Sequence, residues 1–124
     1  MEEHHLTRCE LEVMQVVWDR GCVTVQDVVD ALERSLAYTT VLTTMKILDD
    51  KGIVQRSGKQ GRAYLYKPLI SREDVQRCMT SELKDALFGG SLKSMVLSLI
   101  DDSGLNRKDI NELRQAIKSL EANQ

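Results

Sequence analysis

The chain has 124 residues, of which 42% are apolar, enough to bury the core of one ordinary domain. No apolar run approaches the ~20 residues of a transmembrane helix, and the acidic start, Met1 to His5, is unlike a signal peptide, so we expect a cytoplasmic protein with no membrane insertion. The net charge of −2 argues against a uniformly basic chain, and three widely separated cysteines exclude a paired-cysteine metal or redox motif.

Apolar side chains recur at helical spacing in the first part of the chain and predict three helices, over about residues 7–20, 24–34 and 38–51. The first begins with the capping pattern Thr7-x-x-Glu10, in which two side chains satisfy free helix amides. Lys51-Gly52 closes the third, since a cation favours the last turn and glycine adopts positive φ.

Beyond the third helix the period changes. Short β-prone runs at 53–54 and 63–66 predict a hairpin, and Pro68 marks its exit. Three amphipathic helices follow, the first starting at Ser71 and ending at Gly89-Gly90, the others over about 91–100 and 107–121. This order is that of a mainly α winged helix-turn-helix domain with a small β-hairpin, predicted at 1–70, and a helical dimerisation region at 71–124.

The third predicted helix has a polar face unlike an ordinary solvated one. Four threonines in six positions lower helix propensity without adding the solubility that lysine would bring. A threonine hydroxyl can meet a phosphate or a base edge, and its methyl group can pack on a thymine methyl. We therefore predict major-groove contacts from Thr39, Thr40, Thr43, Thr44 and Lys46. The alternative is that these hydroxyls bond back to the carbonyls of their own helix.

Two further segments are candidate DNA contacts. The hairpin carries Lys59, Gln60 and Arg62 beside a glycine-opened tip, suited to backbone or minor-groove contact. The alternative is that the hairpin is an exposed sheet edge and that its lysine and arginine side chains protect it from aggregation. The start of the second helix, at Thr24, Val25 and Gln26, points amides outward and is a candidate phosphate contact.

The charge is distributed unevenly in a way that supports these contacts. Residues 1–36 carry three basic and eight acidic side chains, residues 37–68 six and two, and residues 69–124 eight and nine. A polyanion senses the local field within about a Debye length, ~8 Å at physiological salt. The basic middle third is therefore compatible with nucleic-acid binding.

The C-terminal helices comprise about 54 residues, and a segment of that size buries only ~60% of its unfolded surface when it folds alone. Their apolar stripes therefore predict a homodimer, in which a twofold axis sets operator half-sites ~10 base pairs or a multiple apart. The alternative is packing on the chain's own winged domain. The stripe residues are Met79, Leu83, Leu87, Leu92, Met95, Val96, Leu99, Ile110, Leu113 and Ile117.

Segments spread along the chain resemble the penicillinase repressor (BlaI/MecI/CopY) family of bacterial winged-helix regulators. They are Leu6-Thr7, Glu10 to Met14, Val17-Trp18, Gly21, Ala37 to Val41, Thr43, Leu48, Lys51-Gly52, Gly61 to Ala63, Tyr66, Pro68 and Leu87 to Ser91. The resemblance implies a homodimeric repressor of dyad-symmetric operators, commonly beside β-lactam-resistance, metal-homeostasis or stress genes. It also implies release through proteolysis in the C-terminal helices, triggered by a membrane sensor protease.

By the same resemblance, Thr39, Thr40 and Thr43 fall where the family's helix reads bases, and Arg62 falls on the wing. The chain also departs from the pattern. Lys46-Ile47-Leu48 replaces Asn-Arg-Leu, which removes an expected backbone-binding arginine. The cysteine-rich C-terminal motif of the copper-responsive branch is absent, and Leu87-Phe88 replaces the Asn-Phe bond cut in staphylococcal members.

Two other functional classes are weaker. An enzyme or a metal site would have to use Cys9 with His4 or His5, and no ordered third group orients either histidine. We therefore predict no catalytic residue, cofactor or metal. A winged-helix module that binds protein rather than DNA is the main alternative, because fold does not dictate function.

Overall fold

The computed structural model describes residues 4–102 and 104–124. Along the chain lie α1 (Arg8–Arg20), α2 (Val25–Ala31), α3 (Tyr38–Asp50), β1 (Val54–Gln60), β2 (Ala63–Pro68), α4 (Arg72–Phe88), α5 (Leu92–Asp102) and α6 (Arg107–Ala122). The predicted order of helices, hairpin and helices is confirmed. The chain forms two compact units, a winged unit of Met1–Glu82 and a C-terminal unit of Leu83–Gln124.

Every helix and strand of the winged unit contributes side chains to its hydrophobic core. Val23 and Tyr66 exchange two backbone hydrogen bonds of 3.0 and 2.7 Å, which tie the segment between α1 and α2 to β2. Buried apolar side chains then fill the space between the three helices and the hairpin. They are Leu6, Val13, Met14, Val17, Val23, Val25, Val28, Val41, Met45, Leu48, Ile53, Val54, Tyr66 and Val75.

Reciprocal caps start α1 and α2. The Thr7 hydroxyl accepts from the Glu10 amide at 3.3 Å, and the Glu10 carboxylate accepts from the Thr7 amide at 2.9 Å, as predicted. Glu10 is buried and also binds the Lys51 ammonium at 2.8 Å, joining the start of α1 to the end of α3. Burial raises the pKa of Glu10, but hydrogen bonds from Lys51 and Thr7 outweigh it and hold the pKa below its ordinary value.

Two predicted boundaries are wrong. The second helix ends at Ala31 rather than near Arg34, because Leu32 turns to extended backbone. Arg34 then lies beyond the helix, where its guanidinium donates to both carboxylate oxygens of Glu12 at 3.0 Å. The hairpin is longer than predicted, because β1 extends to Gln60, its residues 58–60 pair with β2, and only Gly61-Arg62 is left as the turn.

The winged unit includes the first part of α4. The Trp18 indole donates to the Ile70 carbonyl at 2.9 Å, and the Arg72 guanidinium lies 5.5 Å from the Trp18 ring while binding Asp19 at 2.6 Å. Val75 is buried in the core and Met79 packs against it. The winged unit therefore continues past residue 70, where we placed the domain boundary.

The C-terminal unit contains the end of α4 with α5 and α6. Gly89 and Gly90 adopt φ of 57° and 83° and interrupt the helix where the sequence predicts a break. Asn106 caps α6, its side-chain oxygen accepting from the Asp109 amide at 2.8 Å. Across the described residues, no helix combines the length and apolar character that crossing a bilayer requires.

Candidate nucleic-acid interface

Helix α3 has two distinct faces. Val41, Met45 and Leu48 are completely buried and fix the helix against the core. Thr39, Thr40, Thr43 and Lys46 are exposed on the other side. Burial of the apolar stripe therefore directs a surface of short hydroxyl side chains and one lysine toward solvent, as the sequence predicts.

Thr44 does not belong to that exposed surface. It is only 7% exposed, and its hydroxyl donates to the Thr40 carbonyl at 2.9 Å while contacting Cys9 Sγ at 3.6 Å. For this residue the alternative of back-bonding within the helix is correct. We therefore remove Thr44 from the predicted DNA contacts.

Thr24 itself, at the predicted phosphate contact, has both its hydroxyl and its amide bound within the chain. Thr24 is buried, its hydroxyl accepts from the Asp27 amide at 3.1 Å, and its amide donates to the Asp27 carboxylate at 2.9 Å. The acidic side chain of Asp27 thus occupies the start of α2, where a phosphate would have to bind. We remove Thr24 as well.

The wing is an antiparallel hairpin with an exposed basic end. Gly61, with φ of 64°, takes the first turn position, at which glycine is favoured in type II′ hairpin turns. Lys59, Gln60 and Arg62 are exposed at or beside this turn, where the sequence predicts them.

Only some of the basic side chains of residues 37–68 form ion pairs. Lys51 is held by Glu10, and Arg56 lies 3.6 Å from the Asp49 carboxylate at the end of α3. The remaining basic side chains, which pair with no carboxylate of the described residues, are Lys46, Lys59, Arg62 and Lys67. Uncompensated positive charge thus lies on both α3 and the wing.

Sequence reasoning missed Tyr64, which we had assigned only to a β-prone run. The residue is 43% exposed, and Arg56 Cζ and Lys59 Nζ lie 4.9 Å and 4.8 Å from the centroid of its ring. Alternation along the strand gave no signal, because Tyr64 and Tyr66 are two positions apart and share one face of β2, on which Tyr66 is buried and Tyr64 is exposed.

The C-terminal unit leaves most of its predicted stripe exposed. Two stripe residues differ, since Met79 packs on the winged core and Met95 is buried. For Met79 the alternative of packing on the chain's own winged domain is correct. The others, 41–68% exposed, are Leu83, Leu87, Leu92, Val96, Leu99, Ile110, Leu113 and Ile117.

Further apolar residues extend this exposed surface beyond the predicted stripe. Leu97, Ile100 and Leu120 are also exposed, so α5 is apolar on more than one side. A groove of about 240 Å³ between α5 and α6 is lined by Val96, Leu99, Ile100, Leu105 and Leu113. Such a contiguous apolar surface is typical of a region that contacts another molecule.

The histidines and the cysteine of the enzyme and metal alternatives each contact a different partner. His5 Nδ1 contacts the Glu82 carboxylate at 2.7 Å, the His4 amide donates to Cys78 Sγ at 3.2 Å, and Cys9 contacts Thr44. Within residues 4–102 and 104–124, histidines, cysteines and carboxylates form no group of three or more that could hold a metal ion.

The sequence model of the penicillinase repressor family matches residues 6–119, nearly the whole chain. The chain belongs to the penicillinase repressor family. It is 29% identical over 115 residues to the penicillinase repressor of Bacillus licheniformis, covering 91% of this chain and 89% of that protein. It is 34% identical over 117 residues to the transcriptional regulator BlaI of Mycobacterium tuberculosis, covering 91% and 83%. The chain is thus a transcriptional repressor by family.

Solved structures agree with the fold. The solution structure of the DNA-binding domain of the repressor BlaI covers 56% of this chain and 87% of its own, with 29% identity and a TM-score of 0.50. Wild-type MarR from E. coli covers 93% of this chain and 78% of its own, with a TM-score of 0.53, and at 16% identity it supports the fold alone. The predicted winged-helix class and family are confirmed.

Proposed function

We propose that this repressor binds a dyad-symmetric DNA operator as a homodimer, with α3 in the major groove and the wing on the adjacent backbone or minor groove. The observation that carries the proposal is the exposed face of Thr39, Thr40, Thr43 and Lys46, held outward by the buried stripe on the opposite side of α3. Short side chains let a helix approach base edges closely, and threonine offers both a hydroxyl and a methyl group.

The wing supplies sequence-independent contacts in this proposal. Lys59, Gln60 and Arg62 are exposed beside the Gly61 turn, and the two cations face no carboxylate of the described chain that would compete with phosphate. Each phosphate that a cation neutralises releases counterions, which makes binding steeply dependent on salt. In this scheme the wing contributes affinity and α3 contributes base preference.

The exposed apolar surface of the C-terminal unit supports a second copy of the chain as the partner. Fully burying one Leu, Ile or Val side chain contributes roughly 1.5–3 kcal/mol, so eight half-exposed stripe residues are a substantial driving force. A twofold dimer presents two α3 helices to inverted half-sites ~10 base pairs or a multiple apart. Linking the two half-site contacts raises affinity far above that of one contact.

Release by a signal acting on α4 to α6 follows from that arrangement. A cut or a conformational change there would separate the two winged units and remove the gain from simultaneous binding. A membrane sensor protease, or a protease that it controls, is the partner that fits this route. We place the repressor in the cytoplasm, where its operator lies.

Selection of bound duplexes from a random pool tests the proposal directly. We expect an enriched inverted repeat, with log K falling by ~0.9 per phosphate contact for each decade of salt. Failure to enrich any duplex, or binding that hardly changes with salt, would favour the alternative of a protein-binding module.

The substitution Thr43→Ala tests the role of α3. We expect a loss of ~1–3 kcal/mol at particular base pairs, with binding to scrambled DNA unchanged, because a base-edge contact is sequence-specific. The matched control is Thr80→Ala, an exposed threonine on α4, which should bind like the unmodified chain. An equal loss on every sequence from Thr43→Ala would contradict a base-reading role.

A further inference from the structure

The outer part of the wing groups one aromatic ring with two cations. We propose that Tyr64 is a positioning residue that holds Arg56 and Lys59 as a two-cation clamp for one or two adjacent phosphates of the DNA backbone. The inference rests on the DNA binding proposed above, and it assigns to the wing a contact that its charged turn alone does not explain.

The clamp rests on two distances. Arg56 Cζ lies 4.9 Å and Lys59 Nζ 4.8 Å from the centroid of the Tyr64 ring, both within the ~6 Å range of cation–π attraction. Both cations also remain exposed. The ring therefore restrains two long side chains whose charged ends stay accessible to a ligand.

A β-bulge creates this grouping. Arg56 pairs with Tyr66, but the register shifts between Arg56 and Gly58, so that Lys59 pairs with Tyr64. Without the shift, Gly58 would lie opposite Tyr64 in place of Lys59, and Arg56, a diagonal neighbour, would be the one cation of β1 near the ring. Gly58 has φ of 153°, a conformation that favours glycine, and so permits the bulge.

Asp49 orients one half of the clamp. Its carboxylate lies 3.6 Å from the Arg56 guanidinium, so Arg56 is held between the end of α3 and the Tyr64 ring. Lys59 is the freer cation, since it pairs with no carboxylate of the described residues. With Asp49 counted, the two cations leave a net charge of +1 beside the ring, and along duplex DNA the anion that matches it is a phosphodiester of the backbone.

The test compares Tyr64→Leu with Tyr64→Phe, which keeps the ring and serves as the matched control. We expect Tyr64→Leu to weaken binding about 3- to 10-fold, equally on operator and scrambled duplexes, and to reduce the salt slope by up to ~0.9 for each cation no longer held on a phosphate. Tyr64→Phe should keep both affinity and slope. A slope unchanged in Tyr64→Leu, or a loss in Tyr64→Phe as large as in Tyr64→Leu, would overturn the proposal.

A double-mutant cycle separates positioning from a purely structural role. In an Arg56→Gln/Lys59→Gln background, we expect Tyr64→Leu to cause no further loss, because no cation remains to be held. An undiminished effect in that background would overturn the proposal.

A measurement on the unmodified chain does not depend on any variant folding. Ring currents should shift the Lys59 ε-methylene protons upfield in the proton NMR spectrum, and unshifted protons would overturn the clamp. If the unmodified chain binds duplexes with a steep salt dependence and Tyr64→Leu matches it, only this inference fails. If the unmodified chain binds no duplex, the proposed function fails and the clamp fails with it.

Discussion

The winged unit and the C-terminal unit use apolar residues in opposite ways. The winged unit buries aliphatic side chains from Leu6 to Val75 in one core. Among the described residues of the C-terminal unit, Met95 is the buried hydrophobic side chain, whereas large aliphatic residues on α5 and α6 stay exposed. The first unit buries its apolar side chains internally, and the second leaves a contiguous apolar surface exposed, which is typical of a region that contacts another molecule.

In the proposed function the two units also have different roles. A closed core fixes the direction of the α3 face and the wing, which a DNA contact requires. In the proposed homodimer, the open apolar surface of the C-terminal unit is the surface that association covers. Substitutions of the same kind should therefore have different consequences in the two units.

The largest effect is expected from charges placed in the exposed stripe. The double substitution Leu99→Asp/Leu113→Asp should give monomers in sedimentation and lower operator affinity by ~10²–10⁴-fold, because simultaneous binding of two half-sites is lost. Fluorescence of Trp18, the single tryptophan of the chain, should report an unchanged winged unit. The control is Leu69→Asp, an exposed leucine of the winged unit. A double variant that remained dimeric would contradict the proposal that the exposed stripe forms the dimer contact.

The second prediction compares the truncation of one leucine in each unit. Leu48→Ala, in the closed core, should lower the free energy of unfolding by ~2–5 kcal/mol in urea titrations followed by Trp18 fluorescence. Leu113→Ala, measured at concentrations where the chain is monomeric, should change it by less than ~0.5 kcal/mol. Similar losses from the two truncations would mean that the two units do not differ as described.

The smallest effect concerns the ion pair that joins α1 to α3. The pKa of Glu10 is lowered in the folded chain, so its stabilising contribution is complete above the unfolded pKa and is lost as the pH falls through the folded pKa. Glu10→Gln should cost about 1 kcal/mol at neutral pH and show a weaker fall in Tm below pH ~4.5 than the unmodified chain. Glu121→Gln, on exposed α6, is the control. Parallel Tm curves for Glu10→Gln and the unmodified chain would refute this role.

Local patterns predicted most of the fold. The Thr7 cap, the apolar stripe of α3 and the break at Gly89-Gly90 each depend on residues within a few positions of one another, so the sequence contains all of the signal. The end of α2 was not predictable in this way, because the Glu12 carboxylate that binds Arg34 lies 22 positions away.

The candidate interface was predicted less completely for the same reason. Thr44 is an exception, because it lies three positions after Val41 and four before Leu48, so helical spacing alone places it with the buried stripe of α3, where it contacts Cys9 of α1. Met79 continues the apolar spacing of Leu83 and Leu87, yet it packs against the winged core. Tyr64 acquires Lys59 as a neighbour through a bulge, and the polar strand β1, which has no clear alternation, does not indicate that bulge.

The span of the winged core affects how the chain folds during synthesis. Leu6 is among the first apolar residues to be translated, but Val75, a member of the same core, follows about 70 residues later. At ~5–20 residues per second, Leu6 waits roughly 3 to 14 s before the ribosome has supplied its whole set of core neighbours. The helix that completes the core is also the one that leads into the C-terminal unit, so every residue of the winged core is translated before the exposed apolar residues of α5 and α6.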